Sequence, residues 1–186
     1  MFDKETYIRR RAELKRLVGR GVIVLFGNNE SPMNYPANTY APMRQDSTFL
    51  YYFGQKREGL VGVIDIDSDQ EWLLGDDIDV DDIVWMGYTP SVCDLAAEVG
   101  VSKTAPMAKL SHVCCDSIAT SETLHFLPPY RHDTMIQLMD LTGLHPSKQK
   151  EAASVDLIKA VVQMRSKKEP QEIDLIDRAC DLGYEM

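Results

Sequence analysis

The sequence predicts an α/β domain in which a mixed β-sheet is covered by helices on both faces. Three observations carry that expectation. Val22-Ile23-Val24-Leu25-Phe26 is rich in β-branched residues, apolar throughout and closed by Gly21 and Gly27, the pattern of a strand buried on both sides. Phe49-Leu50-Tyr51-Tyr52-Phe53 would place Phe49, Tyr51 and Phe53 on one face of an extended chain and Leu50 and Tyr52 on the other, which predicts a second covered strand. Segments with helical spacing then alternate with apolar runs along the chain, the order expected of such a sheet.

Taken in order, Asp3 can cap a helix over residues 4–18, with Tyr7, Leu14, Leu17 and Val18 on one side and Gly19 and Gly21 at its end. Residues 28–42 contain Pro32, Pro36 and Pro42 and read as a long loop. Arg44 and Asp46 stand at the mouth of the aromatic strand, where charges need partners. They either pair with each other and with nearby backbone or mark a site. Leu60–Ile66 and Glu71–Leu74 predict two strands joined through residues 67–70; Asp65, Asp67 and Asp69 mimic the start of a calcium loop, but Gln70 replaces its glycine, so a polar hairpin is expected. The run from Asp76 to Asp82 reads as a solvated face. Ser91 can cap a helix ending at Gly100; further helices are expected over 106–118, 132–141 and 153–164, with a strand over 123–127 stopped by Pro128-Pro129. After Ser166-Lys167-Lys168-Glu169, Pro170 opens a last helix whose Ile173, Ile176 and Cys180 form a seam widened by Leu175, Ala179 and Leu182. That stripe suggests the entry to a second domain.

At 186 residues the chain holds one sizeable core and a short extra element. A hydrophobic fraction of 44% and a charged fraction of 26% are those of a globular protein. No apolar run approaches the ~20 residues of a membrane span. Met1-Phe2-Asp3-Lys4-Glu5 lacks the apolar core of a secretory signal, so a cytoplasmic protein without a membrane partner is expected. The net charge of −9 disfavours a nucleic-acid surface. The basic residues Lys4, Arg9, Arg10, Arg11, Lys15, Arg16 and Arg20 crowd the first helix, as a solvated face or a contact with an acidic neighbour. Cys93, Cys114, Cys115 and Cys180 show no repeated spacing and are expected to be mostly buried thiols.

No catalytic constellation emerges from the residues themselves. GxxxxGKS/T, HExxH and GxSxG are absent, and Gly19-Arg20-Gly21 precedes a strand instead of following one, so it is no dinucleotide turn. His112 with Cys114 and Cys115 lacks a fourth zinc ligand and chelating spacing, and no arginine follows within 116–122 to make a phosphatase loop. His125, His132 and His145 are scattered and read as structural. Trp85, beside Gly87 at a polar approach, is either packing or a contact anchor.

Three segments resemble one family. Arg44-Gln45-Asp46-Ser47-Thr48-Phe49-Leu50-Tyr51-Tyr52-Phe53-Gly54 resembles the signature Arg-Gln-Asp/Asn-Ser-x-Phe-x-Tyr-x-x-Gly of the N-terminal domain of aminopeptidase P, the Xaa-Pro aminopeptidases and dipeptidases of the prolidase/creatinase superfamily. Ile83-Val84-Trp85-Met86-Gly87 is similar to its Ile-Trp-Phe-Gly segment with one inserted residue. Met164 to Ile173 resembles the Met-Arg-x-x-Lys-Ser-Pro-x-Glu-Ile entry to the catalytic domain, with Glu169 in place of serine, a substitution expected to remove a good helix cap and little else.

The resemblance implies a creatinase/prolidase N-terminal-like domain over 1–165 and, over 166–186, the first helix of a truncated "pita-bread" metallopeptidase domain. It implies no catalytic residue and no metal ligand in this chain; two divalent ions, commonly manganese, would sit in the missing domain, where a metal-bridging hydroxide attacks the bond preceding proline. Implied partners are that catalytic domain, a homo-oligomer (dimer or tetramer) and a proline-containing peptide. Trp85 would line a neighbouring protomer's substrate cleft, or be a structural tryptophan. Arg44, Gln45, Asp46, Ser47, Phe49, Tyr52 and Gly54 would be a structural signature. The alternatives within the resemblance are an interaction module that has lost its metal ligands, as in a related histone chaperone, and a changed substrate, as in creatinase.

Overall fold

A computed structural model describes residues 2–36, 38–78, 83–84, 87–114 and 123–186. Helix α1 (Lys4–Val18) leads into β1 (Val22–Phe26), whose residues 22–25 are all buried. The next strands of the main sheet are β4 (Val61–Asp65), β5 (Gln70–Leu74), β6 (Lys103–Ala105) and β7 (Leu124–His125). Their order is β6-β5-β4-β1-β7. The β1/β4 and β4/β5 pairs are antiparallel, and β1/β7 and β5/β6 are parallel, so the sheet is mixed as expected.

Alternation along the strands divides the core in two. Ile23, Leu25, Ile64 and Leu73 face α1, α2 (Ser47–Phe53), α3 (Val92–Glu98) and α6 (Val155–Ser166). Val22, Val24, Val61, Val63 and Leu74 face Leu110, Cys114, Phe126 and Leu138, the last on α4 (His132–Thr142). A period of two thus sends neighbouring residues to opposite apolar layers, and helices cover both.

The 49–53 segment corrects the sequence reading. It is helix α2 and not a strand. Both Thr48 N and Phe49 N donate to Asp46 Oδ1 at 2.8 Å, so the carboxylate caps the first turn. Gly54 ends the helix at φ 65, and a Cβ there would lie 2.4 Å from the Tyr7 ring. In the helix Phe49 and Phe53 are one turn apart and stack at 5.4 Å, while Tyr52 shares their buried side. Aromatic β-propensity lost to a cap at each end.

Other differences are smaller. Within residues 28–42, Pro32–Tyr35 and Asn38–Thr39 form a short antiparallel pair, β2 and β3. Helix α5 (Pro146–Ala152), announced only by Pro146 after the capping His145, went unpredicted, as did β6. The helix expected over 106–118 begins as a tight turn, Met107–Lys109, and is helical over 110–114; its remainder lies outside the described residues. In the β4–β5 connection Asp65 Oδ1 accepts from Asp67 N at 3.1 Å and Ser68 N at 3.2 Å, and Asp69 pairs with Lys15 at 2.6 Å. Those carboxylates hold a turn. Cys114 is buried, but Cys93 and Cys180 are exposed, against the expectation of mostly buried thiols. No helix among the described residues is long and apolar enough to cross a membrane.

Candidate functional site

The segment 44–54 is tied to several parts of the chain by hydrogen bonds. Gln45 Oε1 accepts from Asn28 N and from Asp46 N, the latter at 2.8 Å, while its Nε2 donates to Arg57 O at 2.7 Å. One amide side chain therefore joins the end of β1, the entry to α2 and the loop after it. Asp46 uses Oδ1 for the cap and Oδ2 to accept from the Tyr130 hydroxyl at 3.0 Å. Asn28, buried, donates to Arg44 O at 2.9 Å and to Tyr130 Oη at 3.1 Å. Burial raises the Tyr130 hydroxyl above its ordinary value, against the Asn28 hydrogen bond and aided by the Asp46 charge, so it stays a donor. Arg44 itself is exposed, with no hydrogen bond or ion pair from its side chain to another described residue.

The other end of α2 is held from below. Arg10 and Arg11, both on α1, are 2% and 0% exposed. Arg10 Nη1 donates to Tyr51 O at 3.1 Å and Arg11 Nη1 to Tyr52 O at 2.9 Å, so two cations meet the carbonyl end of the helix. Arg11 also donates to Glu71 Oε2 at 2.7 Å and Val99 O at 2.8 Å. Of the two expectations for these basic residues, a solvated face describes Arg9 and Arg16, whereas Arg10 and Arg11 are buried and meet the acidic neighbours Glu169, Glu172 and Glu71. A signal existed: positions 7, 10, 11 and 14 share one helical face, so two arginines lay on the apolar stripe. From α6, Arg165 Nη1 donates to Thr48 Oγ1 at 2.9 Å, and Tyr52 donates to Met164 Sδ at 3.4 Å. Burial pushes the Tyr51 and Tyr52 hydroxyls up, so neither serves as a base.

The geometry builds a rigid polar clamp. The cleft beside Asp46, lined by Phe26, Asn28, Pro128, Pro129 and Tyr130, holds about 50 Å³, room for water and not for a peptide. His125 Nδ1 lies 2.6 Å from Ser154 Oγ, but that hydroxyl also accepts from Leu157 N as the cap of α6, and Nε2 meets Arg20 O at 3.0 Å. This Ser–His contact ties β7 to a helix. Among the described residues no group of three or more His, Cys, Asp or Glu side chains could hold a metal ion. Trp85 lies outside the described residues.

The family model for the aminopeptidase P N-terminal domain matches residues 7–125, from the α1 arginines to β7. This chain belongs to that family. Among solved structures, E. coli aminopeptidase P in a low-pH form superposes with a TM-score of 0.78 at 20% identity, over 96% of this chain and 42% of that one. Zinc-substituted E. coli aminopeptidase P in complex with product gives 0.76 at 17% identity, with the same shares. Pseudomonas aeruginosa aminopeptidase PepP gives 0.67 at 19%, over 82% of this chain and 35% of that one. No curated protein matches in sequence. At such identities the superpositions establish a common fold. This chain spans about 42% of the length of the E. coli enzyme.

Proposed function

We propose that this domain is the non-catalytic N-terminal part of a metal-dependent Xaa-Pro aminopeptidase or dipeptidase, a hydrolase of the peptide bond preceding proline. The observation that carries the reading is the match of residues 7–125 to the aminopeptidase P N-terminal domain. In it, residues 1–165 form the N-terminal domain and 166–186 enter the catalytic domain, which holds two divalent ions, manganese by preference. The N-terminal domain supports assembly of a cytoplasmic homo-oligomer and shapes a neighbouring protomer's cleft through Trp85. Arg44, Gln45, Asp46, Ser47, Phe49, Tyr52 and Gly54 act structurally, a role supported by the bonds that Gln45 and Asp46 make to backbone groups.

The experiment is direct. Residues 1–186 alone should not cleave an Xaa-Pro dipeptide with added manganese, whereas the full-length protein should; turnover by the short chain would misplace the chemistry. In the full-length enzyme, Trp85→Ala should lower kcat/KM while leaving the unfolding midpoint in place, and an unchanged kcat/KM would remove the contact in trans.

A further inference from the structure

Residues 164–172 run from the last turn of α6 to the first turn of α7 (Pro170–Glu185). Between the two helices Lys167 (φ −103, ψ 125) and Glu169 (φ −73, ψ 153) are extended, so nothing in the backbone of the link fixes the angle between them. Side chains on both sides of the link do. Before it, Arg165 Nη1 donates to Thr48 Oγ1 at 2.9 Å, the Tyr52 hydroxyl donates to Met164 Sδ at 3.4 Å and the Tyr51 hydroxyl to Met164 O at 3.4 Å. After it, Glu169 accepts from Arg9 Nη2 at 2.9 Å and from Arg10 Nη2 at 3.3 Å, and Gln171 Nε2 donates to Thr6 Oγ1 at 3.2 Å.

Every one of these partners lies on α1 or α2. Thr6, Arg10, Thr48, Tyr51 and Tyr52 are all buried, so their polar groups are held in place before the segment meets them. Arg10 joins the two halves of the grip, because its Nη1 ends α2 at Tyr51 O while its Nη2 holds Glu169.

We propose that α1 and α2 form a seat for residues 164–172, and that Thr48, Tyr52 and Arg165 are positioning residues that set the direction in which the chain leaves the α/β body. The inference rests on the proposed function, in which residues 166–186 enter the catalytic domain and Trp85 reaches a neighbouring cleft. A body tilted on its seat withdraws that contact, so substrate capture suffers while the chemical step is spared.

Thr48→Val and Tyr52→Phe keep the shape of each side chain and remove one hydroxyl each, the acceptor of Arg165 and the donor to Met164. In the full-length double variant, hydrogen exchange at the amides of 163–166 and 172–173 should quicken about tenfold, with that of β1 and β4 unchanged. Thr48→Ser, which retains the hydroxyl, should exchange at the native rate. With an Xaa-Pro dipeptide, KM should rise about fivefold in the double variant at an unchanged kcat. If the double variant does not fold, Arg165→Met removes the donor from a half-buried side chain and gives the same readouts. Unchanged exchange in a folded variant would overturn the seat, as would equal quickening in Thr48→Ser. Quicker exchange with KM unchanged would overturn the positioning role. Should the native full-length protein cleave no Xaa-Pro peptide, the proposed function fails, and the exchange rates still decide the seat.

Discussion

Removing the Arg11 guanidinium tests the packing argument most directly. Arg11 is fully buried and donates to three acceptors, Glu71 Oε2 at 2.7 Å, Tyr52 O at 2.9 Å and Val99 O at 2.8 Å. Methionine keeps much of the aliphatic stem and donates nothing. Glu71 would retain only Lys15, at 2.9 Å, while the carbonyls ending α2 and α3 would lose the cation that meets them. Breaking a buried ion pair from one side costs about 3–5 kcal/mol. The two orphaned carbonyls belong to the same loss, so we keep that figure for the whole. In a chain of this size each kcal/mol moves Tm by roughly 2–4 °C, so Arg11→Met should lower it by about 6–20 °C. Urea titration followed by far-ultraviolet dichroism gives the free energy, and Arg16→Met, at an exposed pair with Glu13, serves as the reference. Adding Glu71→Gln to Arg11→Met should cost less than it does in the native background, because the stranded charge is removed. A loss no greater than that of Arg16→Met would refute the reasoning, since it would mean that those three bonds contribute nothing net.

Three further outcomes follow from the clamp. Asp46→Ala should destabilise by about 1–2 kcal/mol through loss of the α2 cap, whereas Asp46→Asn, an equally good cap, should cost only a few tenths; equal losses in urea titrations would show that charge and not capping matters. Gly54→Ala should lower the midpoint by more than the ~1 kcal/mol of left-handed strain, because its Cβ meets the Tyr7 ring, and Tyr7→Ala in the same chain should relieve part of that loss. For Glu169, burial raises the carboxyl, but the Gln171 amide and the Arg10 and Arg9 guanidiniums outweigh it and hold the group below 4.5. A lowered folded value stabilises above 4.5, and that contribution is lost as pH falls through the lowered value. Carboxyl NMR should therefore place the Glu169 midpoint below 4.5 and Arg10→Gln should raise it; a native midpoint at or above 4.5 would contradict the pairing.

The substitution at 169 also changes meaning in the structure. Reading Glu169 as the loss of a serine cap misses its use, because its carboxylate holds Arg9, Arg10 and the Gln171 amide at once. Spacing along a helix can show which side chains share a face, but not that a residue 160 positions away arrives there.

What the sequence by itself determined was set by local chemistry and by composition. The closed apolar run of β1, the Ser91 cap of α3, the Pro170 start of the last helix (Pro170–Glu185) and the alternation of elements were legible because each depends on residues a few positions apart. The signature 44–54 and the entry segment near Pro170 were enough to name the family resemblance. Tertiary structure decided the rest. Whether Phe49–Phe53 is strand or helix depended on what meets its two ends, and the carbonyl end is met by Arg10 and Arg11 from a helix some forty residues earlier in the chain. Long-range partners made those arginines core residues and gave Tyr130 its place on Asp46. A buried charge is tolerable only where specific acceptors surround it, and those acceptors are gathered by the fold.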